Sequence, residues 1–189
     1  MKRLFVAISL PVEIKQAIFQ AVRWMDTYSE SVRVIPVENY HLTLKFLGAV
    51  PEEGITSLEA VLSEVARRVH SFPLHLEKCG VFPEKGHPSV FWIGVEPAPE
   101  LETLFNDCEE VLAGLGYTRE TRAFHPHITL ARTGTNHAPA EFLKEWNAMK
   151  VFPIPTYFQV DELTLYESIA GPSGPVYQVL KREKFGKIV

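Results

Sequence analysis

Two spacings of apolar residues alternate along the chain and predict both helices and strands. Apolar residues recur every three or four positions in four segments, which predicts helices at residues 14–25, 55–69, 101–112 and 142–146. Alternating or continuous apolar runs predict extended segments at residues 3–10, 32–38, 41–48, 72–82, 89–97, 127–132, 158–168 and 176–185. The elements follow no regular strand–helix–strand repeat, and several strands are joined locally. This order favours an α+β fold with mostly antiparallel sheets.

Each half of the chain repeats a similar order of elements and carries the same short motif. A strand and a helix lead to an extended run that contains His-x-Thr-Leu, at residues 41–44 and again at 127–130. This repetition indicates a weak internal duplication. No low-complexity segment or evident linker interrupts the chain, so we expect one domain over residues 1–189.

The two motifs each display an imidazole and a hydroxyl on one strand face. Side chains alternate between the faces of a strand, so His41 and Thr43 share a face, and so do His127 and Thr129. The apolar residues between them would anchor each strand in the core.

Two such pairs suit displacement at phosphorus. Histidine titrates near neutral pH, so one imidazole can act as a base while another acts as an acid on opposite sides of a reacting centre. Threonine hydroxyls can donate hydrogen bonds to the non-bridging phosphoryl oxygens, where negative charge is concentrated. The four side chains therefore predict a site for metal-free phosphodiester cleavage.

The motifs and their surroundings resemble a known family. RLFVAISLP, HLTLKFLG, SVFWIGV, FHPHITLAR and LTLYES occur in this order and span nearly the whole chain. They resemble the 2H phosphoesterase superfamily, and within it the RNA 2′,3′-cyclic phosphodiesterases, also called the LigT or ThpR family of 2′-5′ RNA ligases. The resemblance implies a bilobal α+β fold, with pseudo-duplicated lobes and two mostly antiparallel sheets flanked by helices around a central cleft.

The same resemblance implies an activity and a role for each residue. It implies hydrolysis of a terminal RNA 2′,3′-cyclic phosphate to a 2′-phosphomonoester without a cofactor, and reversible 2′-5′ joining of RNA ends. His41 would be the proton donor to the departing 3′ oxygen and His127 the proton acceptor that activates water, while Thr43 and Thr129 hold the phosphate. The motif spacing is symmetric, so only the resemblance distinguishes acid from base. We expect a monomer that acts on RNA ends such as tRNA halves.

Three further residues lie near the motifs in the sequence. The resemblance makes Arg132 a phosphate contact, and its planar fork suits that role. Regular alternation would place Arg132 on the face opposite His127, so the strand must end or bulge after Leu130, or Arg132 is a peripheral charge. Lys45 has the parity of the polar residues and is either a site residue or a solvated strand residue. Phe46 has apolar parity and is expected in the core.

A metal site is not predicted. His125 and His127 could form a ligand pair, but zinc draws three or four protein ligands and no carboxylate or cysteine stands at a suitable spacing. His125 is therefore expected to be structural or to line the cleft edge. Cys79 and Cys108 form no disulfide or zinc pattern and are expected to be buried.

Composition and charge limit the classes of partner. A hydrophobic fraction of 46% with 22% charged residues is ordinary for a globular protein. The net charge of −4 argues against a non-specific binder of long nucleic acid, although not against an enzyme that grips one terminal phosphate. The basic cluster at residues 181–187 is either solvated surface or a guide for RNA.

The apolar segments predict no membrane partner. The basic and apolar start of the chain, residues 1–10, is interpreted as a strand and not as a signal peptide, because no cleavage site of small residues follows it. No apolar run approaches the roughly 20 residues of a membrane span. We expect a cytoplasmic protein.

Two alternative functions remain at this point. One is a 2H phosphodiesterase that acts on small cyclic nucleotides or on ADP-ribose 1″,2″-cyclic phosphate. It would share the catalytic residues and differ in its binding surface. The other is a non-catalytic module that binds RNA ends, against which the two intact histidines count.

Overall fold

The computed structural model describes residues 1–83, 85–134, 137–149, 157–172 and 174–186. Within these ranges the helices are α1 (Val12–Val22), α2 (Ile55–Arg68), α3 (Pro99–Gly114) and α4 (Ala140–Ala148). The strands are β1 (Lys2–Ser9), β2 (Val32–Val34), β3 (His41–Val50), β4 (Phe72–Phe82), β5 (Val90–Val95), β6 (His127–Thr133), β7 (Tyr157–Val160), β8 (Glu162–Gly171) and β9 (Gly174–Lys184). All four predicted helices are present.

The strands form one hydrogen-bonded path in the order β7-β4-β5-β6-β3-β1-β8-β9, with β2 paired to β6. The ladders between these strands are antiparallel. The central strands β3 and β6 pair at Leu42 and Ile128. Two halves of the sheet therefore meet at the two motif strands. The predicted α+β class is confirmed, and the assignment of residues 1–189 to one domain with two lobes stays a prediction.

The helices pack on the apolar face of the motif strands. Leu58 and Leu62 of α2 and Leu104 of α3 are buried in one core cluster with Leu42 and Ile128. The burial of these apolar helix faces together with Leu42 and Ile128 fixes the position of both motif strands. Among the described residues, no helix is long and apolar enough to span a membrane.

Two details of the sequence prediction need correction. Residues 158–168 were expected to form one extended run, but the chain breaks at Asp161 into β7, which pairs with β4, and β8, which pairs with β1 and β9. The apolar alternation continues through the break and so hides it. Cys108 is buried as predicted, whereas Cys79 is only half-buried.

Candidate active site

The register of β3 and β6 brings the two motifs together. Leu42 pairs with Ile128 in antiparallel orientation, which sets His41 opposite Thr129 and Thr43 opposite His127. The two apolar residues are fully buried, while the four polar side chains are partly exposed on the other face. The alternation predicted from sequence is therefore present, and an approximate two-fold axis relates the two His–Thr pairs.

Both imidazoles are held in the same way. Nδ1 of His41 lies 2.6 Å from the carbonyl oxygen of Asn39, and Nδ1 of His127 lies 2.6 Å from the carbonyl oxygen of His125. A carbonyl oxygen only accepts hydrogen bonds, so each Nδ1 carries the proton and donates it. Each Nε2 is then the basic nitrogen when the ring is neutral. Nε2 of His41 lies 2.9 Å from the Thr43 hydroxyl, which can donate to it.

The surroundings of the histidines disfavour their charged forms. Burial lowers the pKa of His41 to about 4, against an opposing effect of its hydrogen bond to Asn39, and Lys15, His127 and Arg132 lower it further. Burial also lowers the pKa of His127, and the charge of Arg132 adds to that effect. His41 is therefore neutral at pH 7 when no anion is bound.

Two β-bulges at matching positions change which side chains face the site. Opposite β1, Thr43 and Lys45 pair with consecutive residues, so Leu44 is the extra residue in β3. Opposite β5, Thr129 and Ala131 pair with consecutive residues, so Leu130 is the extra residue in β6. Each bulge inserts one residue and so reverses the alternation that follows it.

The second bulge resolves the two alternatives for Arg132. With Leu130 inserted, the exposed side chain of Arg132 lies on the same strand face as His127. Its charge acts on the pKa of both His41 and His127, so it lies near both imidazoles. Of the alternatives that the sequence left open, a bulge is present, with Leu130 as the inserted residue, and the contact of Arg132 with a phosphate stays a prediction.

The first bulge overturns two predictions from regular alternation. Lys45 lines the cleft beside the motifs but is not solvated: it is buried, and its Nζ lies 2.7 Å from Oε1 of Glu109 on α3 and 2.6 Å from the carbonyl oxygen of Thr118. Phe46 is not in the core, because its side chain is 70% exposed. Phe46 contacts Phe5, which packs against His41, and therefore lies on the site face.

Aromatic rings surround each histidine. The ring of His41 lies 4.9 Å from Phe5 and 5.1 Å from Tyr177, measured between ring centroids. The ring of His127 lies 5.2 Å from Phe82 and 5.9 Å from Trp92. These contacts fix the imidazole positions and supply the burial that lowers their pKa values.

The strand beneath Trp92 must carry a glycine. A Cβ atom at Gly80 would lie 2.2 Å from the indole ring of Trp92. Only glycine lets this ring lie across β4 and pack beside His127.

A cleft of about 930 Å³ opens beside the motifs. One wall includes Thr43, Phe46 and His127, and the other is formed by residues 118–125, which connect α3 to β6. Sequence reasoning missed this second wall. The available signal was the run TRETRAFHPH, in which threonines and arginines accumulate directly before the second motif.

The remaining candidates lie at the edge of the site or outside it. His125 lines the cleft, and its carbonyl oxygen holds His127, which agrees with the expected structural or cleft-edge role. Within the described residues, no group of three or more histidine, cysteine or acidic side chains could hold a metal ion.

The basic C-terminal cluster is interleaved with acids. The ion pairs join Lys181 to Glu183, Arg182 to Glu162, and Lys184 to Asp161 and Glu162. Of the two interpretations from sequence, this pairing favours solvated surface. Lys187 lies outside the described residues.

Comparisons with known proteins identify the family. Residues 10–172 match the sequence profile described as the 2′-5′ RNA ligase superfamily. The chain belongs to this superfamily. It is 33% identical over 180 residues to a protein of Archaeoglobus fulgidus named RNA 2′,3′-cyclic phosphodiesterase, covering 95% of this chain and 98% of the relative.

Solved structures share the fold of this chain. TT0787 of Thermus thermophilus is similar with a TM-score of 0.78 and 30% identity, covering 98% of this chain and 100% of that one. E. coli LigT complexed with 3′-AMP is similar with a TM-score of 0.75 and 31% identity, covering 98% and 99%. The resemblance inferred from the motifs is thereby confirmed, and the chain is an enzyme of the RNA 2′,3′-cyclic phosphodiesterase family.

Proposed function

We propose that this enzyme opens the terminal 2′,3′-cyclic phosphate of RNA to a 2′-phosphomonoester by acid–base catalysis between His41 and His127, without a metal ion. The observation that carries the proposal is the pairing of Leu42 with Ile128, which sets the two His–Thr pairs against each other on one open face. The names of the curated relatives support the substrate class.

The reaction is a single displacement at phosphorus. His127 takes a proton from water through Nε2, and the water oxygen forms a bond to phosphorus. The bond between phosphorus and the 3′ oxygen breaks on the opposite side, and Nε2 of protonated His41 gives its proton to that oxygen. Thr43, Thr129 and Arg132 donate hydrogen bonds to the non-bridging oxygens, where charge builds up.

The protonation states support this division of roles. His127 is neutral in the free site and can accept a proton, because burial lowers its pKa. The low pKa of His41 makes it a strong proton donor once it is charged. A bound phosphate supplies the negative charge that raises the pKa of His41 and lets it bind a proton.

The same site can join RNA ends. If the 5′ hydroxyl of a second RNA takes the place of water beside His127, the product is a 2′-5′ phosphodiester. The cleft of about 930 Å³ on this side offers room for that chain. We propose that a monomer acts on RNA ends such as tRNA halves.

The decisive experiment uses a short RNA that ends in a 2′,3′-cyclic phosphate, with EDTA present throughout. The expected product is a 2′-phosphomonoester. His41→Ala and His127→Ala should each lower kcat/KM by about 10²–10⁴-fold, the usual contribution of a general acid or base. His70→Ala, which alters an exposed histidine beyond α2, is the matched control and should retain activity.

Other results would redirect the assignment. If the wild-type protein does not turn over the substrate in EDTA, the metal-free mechanism is contradicted. If it binds the RNA tightly without turnover, the alternative of a non-catalytic module that binds RNA ends is supported. A kcat/KM on cyclic mononucleotides far above that on the oligomer would move the function to small cyclic nucleotides. A histidine variant with near-wild-type activity would remove that residue from the reaction.

A further inference from the structure

Two arginines face each other on neighbouring antiparallel strands beside the motifs. Arg33 of β2 is the direct partner of Arg132 of β6, so both exposed side chains lie on the same face of the sheet. Among the described residues, neither arginine forms an ion pair with a carboxylate. Like charges directly opposite each other destabilise a sheet, and a bound anion would remove that repulsion.

The guanidinium of Arg33 lies against the turn between β8 and β9. Its Nη1 is 3.1 Å from the position that a Cβ atom on Gly174 would occupy, so the missing side chain leaves room for it. The next residue of the turn is tied to the motif strand, because Nδ2 of Asn39 donates to the carbonyl oxygen of Pro175 at 2.8 Å. The carbonyl oxygen of Asn39 holds His41. Arg33 therefore extends towards the surroundings of His41.

Tyr177 connects the two arginines to the first motif. Its ring packs against the imidazole of His41 at a centroid distance of 5.1 Å. Burial raises the pKa of Tyr177, and the charges of Arg132 and Arg33 oppose that effect, so both guanidiniums lie near the phenol. A positively charged surface thus adjoins His41.

This surface and the large cleft lie on different sides of the reacting centre. The cleft of about 930 Å³ is lined by His127, and none of Arg33, His41 and Tyr177 is among the described residues that line it. An in-line displacement at phosphorus has the entering and the leaving oxygen on opposite sides. If water enters beside His127, the terminal ribose with its 3′ oxygen lies beside His41. The phosphodiester at the 5′ position of that ribose then lies on the side of the two arginines.

The two arginines carry one charge more than the reacting group. A 2′,3′-cyclic phosphate has a single negative charge, and Arg132 matches it in the proposed reaction. Arg33 supplies a second positive charge and a planar fork, which can donate two parallel hydrogen bonds to a phosphate. A second phosphate in the substrate is therefore the group that Arg33 suits.

We propose that Arg33 binds the phosphodiester on the 5′ side of the terminal nucleotide, while Arg132 binds the cyclic phosphate. This inference rests on the proposed function and adds the residue that selects an RNA end over a cyclic mononucleotide. The repulsion between the two arginines in the free protein is relieved when two phosphates are bound.

The test varies the charge of that phosphodiester and the charge of the side chain. The substrates are the dinucleotide UpA with a terminal 2′,3′-cyclic phosphate and the same molecule with a neutral methylphosphonate linkage. The wild-type kcat/KM should be roughly 10-fold higher for the charged linkage, the contribution of one hydrogen bond between charged groups. This preference should disappear in Arg33→Gln. Arg33→Lys, which keeps the charge but not the fork, should retain part of it.

A matched control and a stability measurement separate binding from folding. Arg67 is an exposed arginine on α2, which packs on the apolar face of the motif strands, so Arg67→Gln should keep the full preference. Arg33→Gln should unfold at a temperature no lower than that of the wild type, because a like charge opposite Arg132 has been removed. A purely structural role of Arg33 predicts a lower unfolding temperature and an equal loss of kcat/KM on both substrates.

Three results would overturn the inference. They are a wild-type protein with no preference for the charged linkage, an Arg33→Gln variant that keeps the preference, and an equal loss of kcat/KM on both substrates. If the wild type prefers adenosine 2′,3′-cyclic phosphate with a 5′-phosphate but shows no preference between the two dinucleotides, Arg33 binds a small nucleotide and the assignment to an RNA chain is wrong. A wild-type protein that leaves every substrate intact would instead overturn the proposed function.

Discussion

At the scale of single residues, the two catalytic candidates share their hydrogen bonds and differ in their surroundings. Each histidine donates from Nδ1 to the carbonyl oxygen two residues earlier in the chain. His41 also accepts from Thr43 and contacts Phe5 and Tyr177. The cost of burying its charge lowers its pKa to about 4 and makes the stability of the protein depend on pH.

The sign and the range of this dependence follow from the direction of the shift. The pKa of His41 falls from 6.5 to about 4 on folding, so between these pH values the unfolded chain binds a proton that the folded protein does not. The stabilisation from neutral His41 is complete above pH 6.5 and is lost as pH falls towards 4. A difference of this size corresponds to at most about 3 kcal/mol.

We therefore expect His41→Gln to flatten the acid side of the stability profile. The free energy of unfolding of this variant should fall by up to about 3 kcal/mol less than that of the wild type between pH 7 and pH 4. Urea unfolding at both pH values measures the difference. His70→Gln, at an exposed site, should follow the wild-type curve. Parallel curves for the wild type and His41→Gln would contradict the lowered pKa.

At the scale of elements, the sequence predicted the motif strands but not the bulges within them. Alternation correctly placed His41, Thr43, His127 and Thr129, because a short strand keeps its period until something interrupts it. A bulge depends on the partner strands and on the helix beneath, so a period-two pattern does not by itself locate it.

Only one of the two bulges left a trace in the sequence. Arg132 is a charged residue at an apolar position of the pattern, and that conflict indicated a change of register after Leu130. Phe46 raised no such conflict, because a phenylalanine at an apolar position looks like a core residue. The position of Lys45 in the alternating pattern predicted that its side chain shares a face with His41. In the structure the side chain forms an ion pair with Glu109 of α3.

The Lys45–Glu109 pair connects three elements of the structure. The Lys45 side chain is 9% exposed and that of Glu109 is 7% exposed. Lys45 also donates to the carbonyl oxygen of Thr118, and the backbone N–H of Glu120 donates to Glu109. The pair thus joins β3 and α3 to the segment that forms the second wall of the cleft.

Breaking this pair should cost much more than breaking an exposed one. Lys45→Met leaves Glu109 buried without its cation, so we expect the free energy of unfolding to fall by about 3–5 kcal/mol. The double variant Lys45→Met, Glu109→Gln should recover much of that loss, because no unpaired charge remains and the amide oxygen still accepts from Glu120. Urea unfolding at pH 7 is the measurement.

The pair between Lys2 and Glu167 provides the comparison. Its atoms lie 2.7 Å apart, but it is more exposed, so Lys2→Met should lower the free energy of unfolding much less than Lys45→Met does. If Lys45→Met and Lys2→Met lower the free energy of unfolding equally, then burial does not increase the contribution of the Lys45–Glu109 pair to stability.

At the scale of the whole molecule, the site belongs to the junction between the two halves of the sheet. The half that contains β1, β8 and β9 supplies His41 and its aromatic neighbours, and the half that contains β4 and β5 supports His127. The pairing of β3 with β6 at Leu42 and Ile128 brings them together. Each half contributes one of the two histidines, so the proposed reaction requires both halves.

The overall charge fits the proposed binding of an RNA end and does not favour binding along the length of an RNA. The chain carries a net charge of −4, and the basic residues of β9 are paired with acids. Affinity for a long strand would require many phosphates to be neutralised, which neither the net charge nor the acid-paired basic residues of β9 favour. Recognition should therefore depend on the terminal nucleotide and its cyclic phosphate.

This view predicts a weak dependence on salt and on RNA length. For a trinucleotide and a dodecanucleotide that both end in a 2′,3′-cyclic phosphate, kcat/KM should be similar. Its logarithm should fall against the logarithm of salt concentration with a slope no steeper than about −1.4, the value for two phosphates of a single strand. Lys181→Ala combined with Lys184→Ala should leave this slope unchanged, because both lysines are paired with acids. If the slope is steep for the longer RNA and becomes less steep in the double variant, then β9 contacts part of the RNA chain.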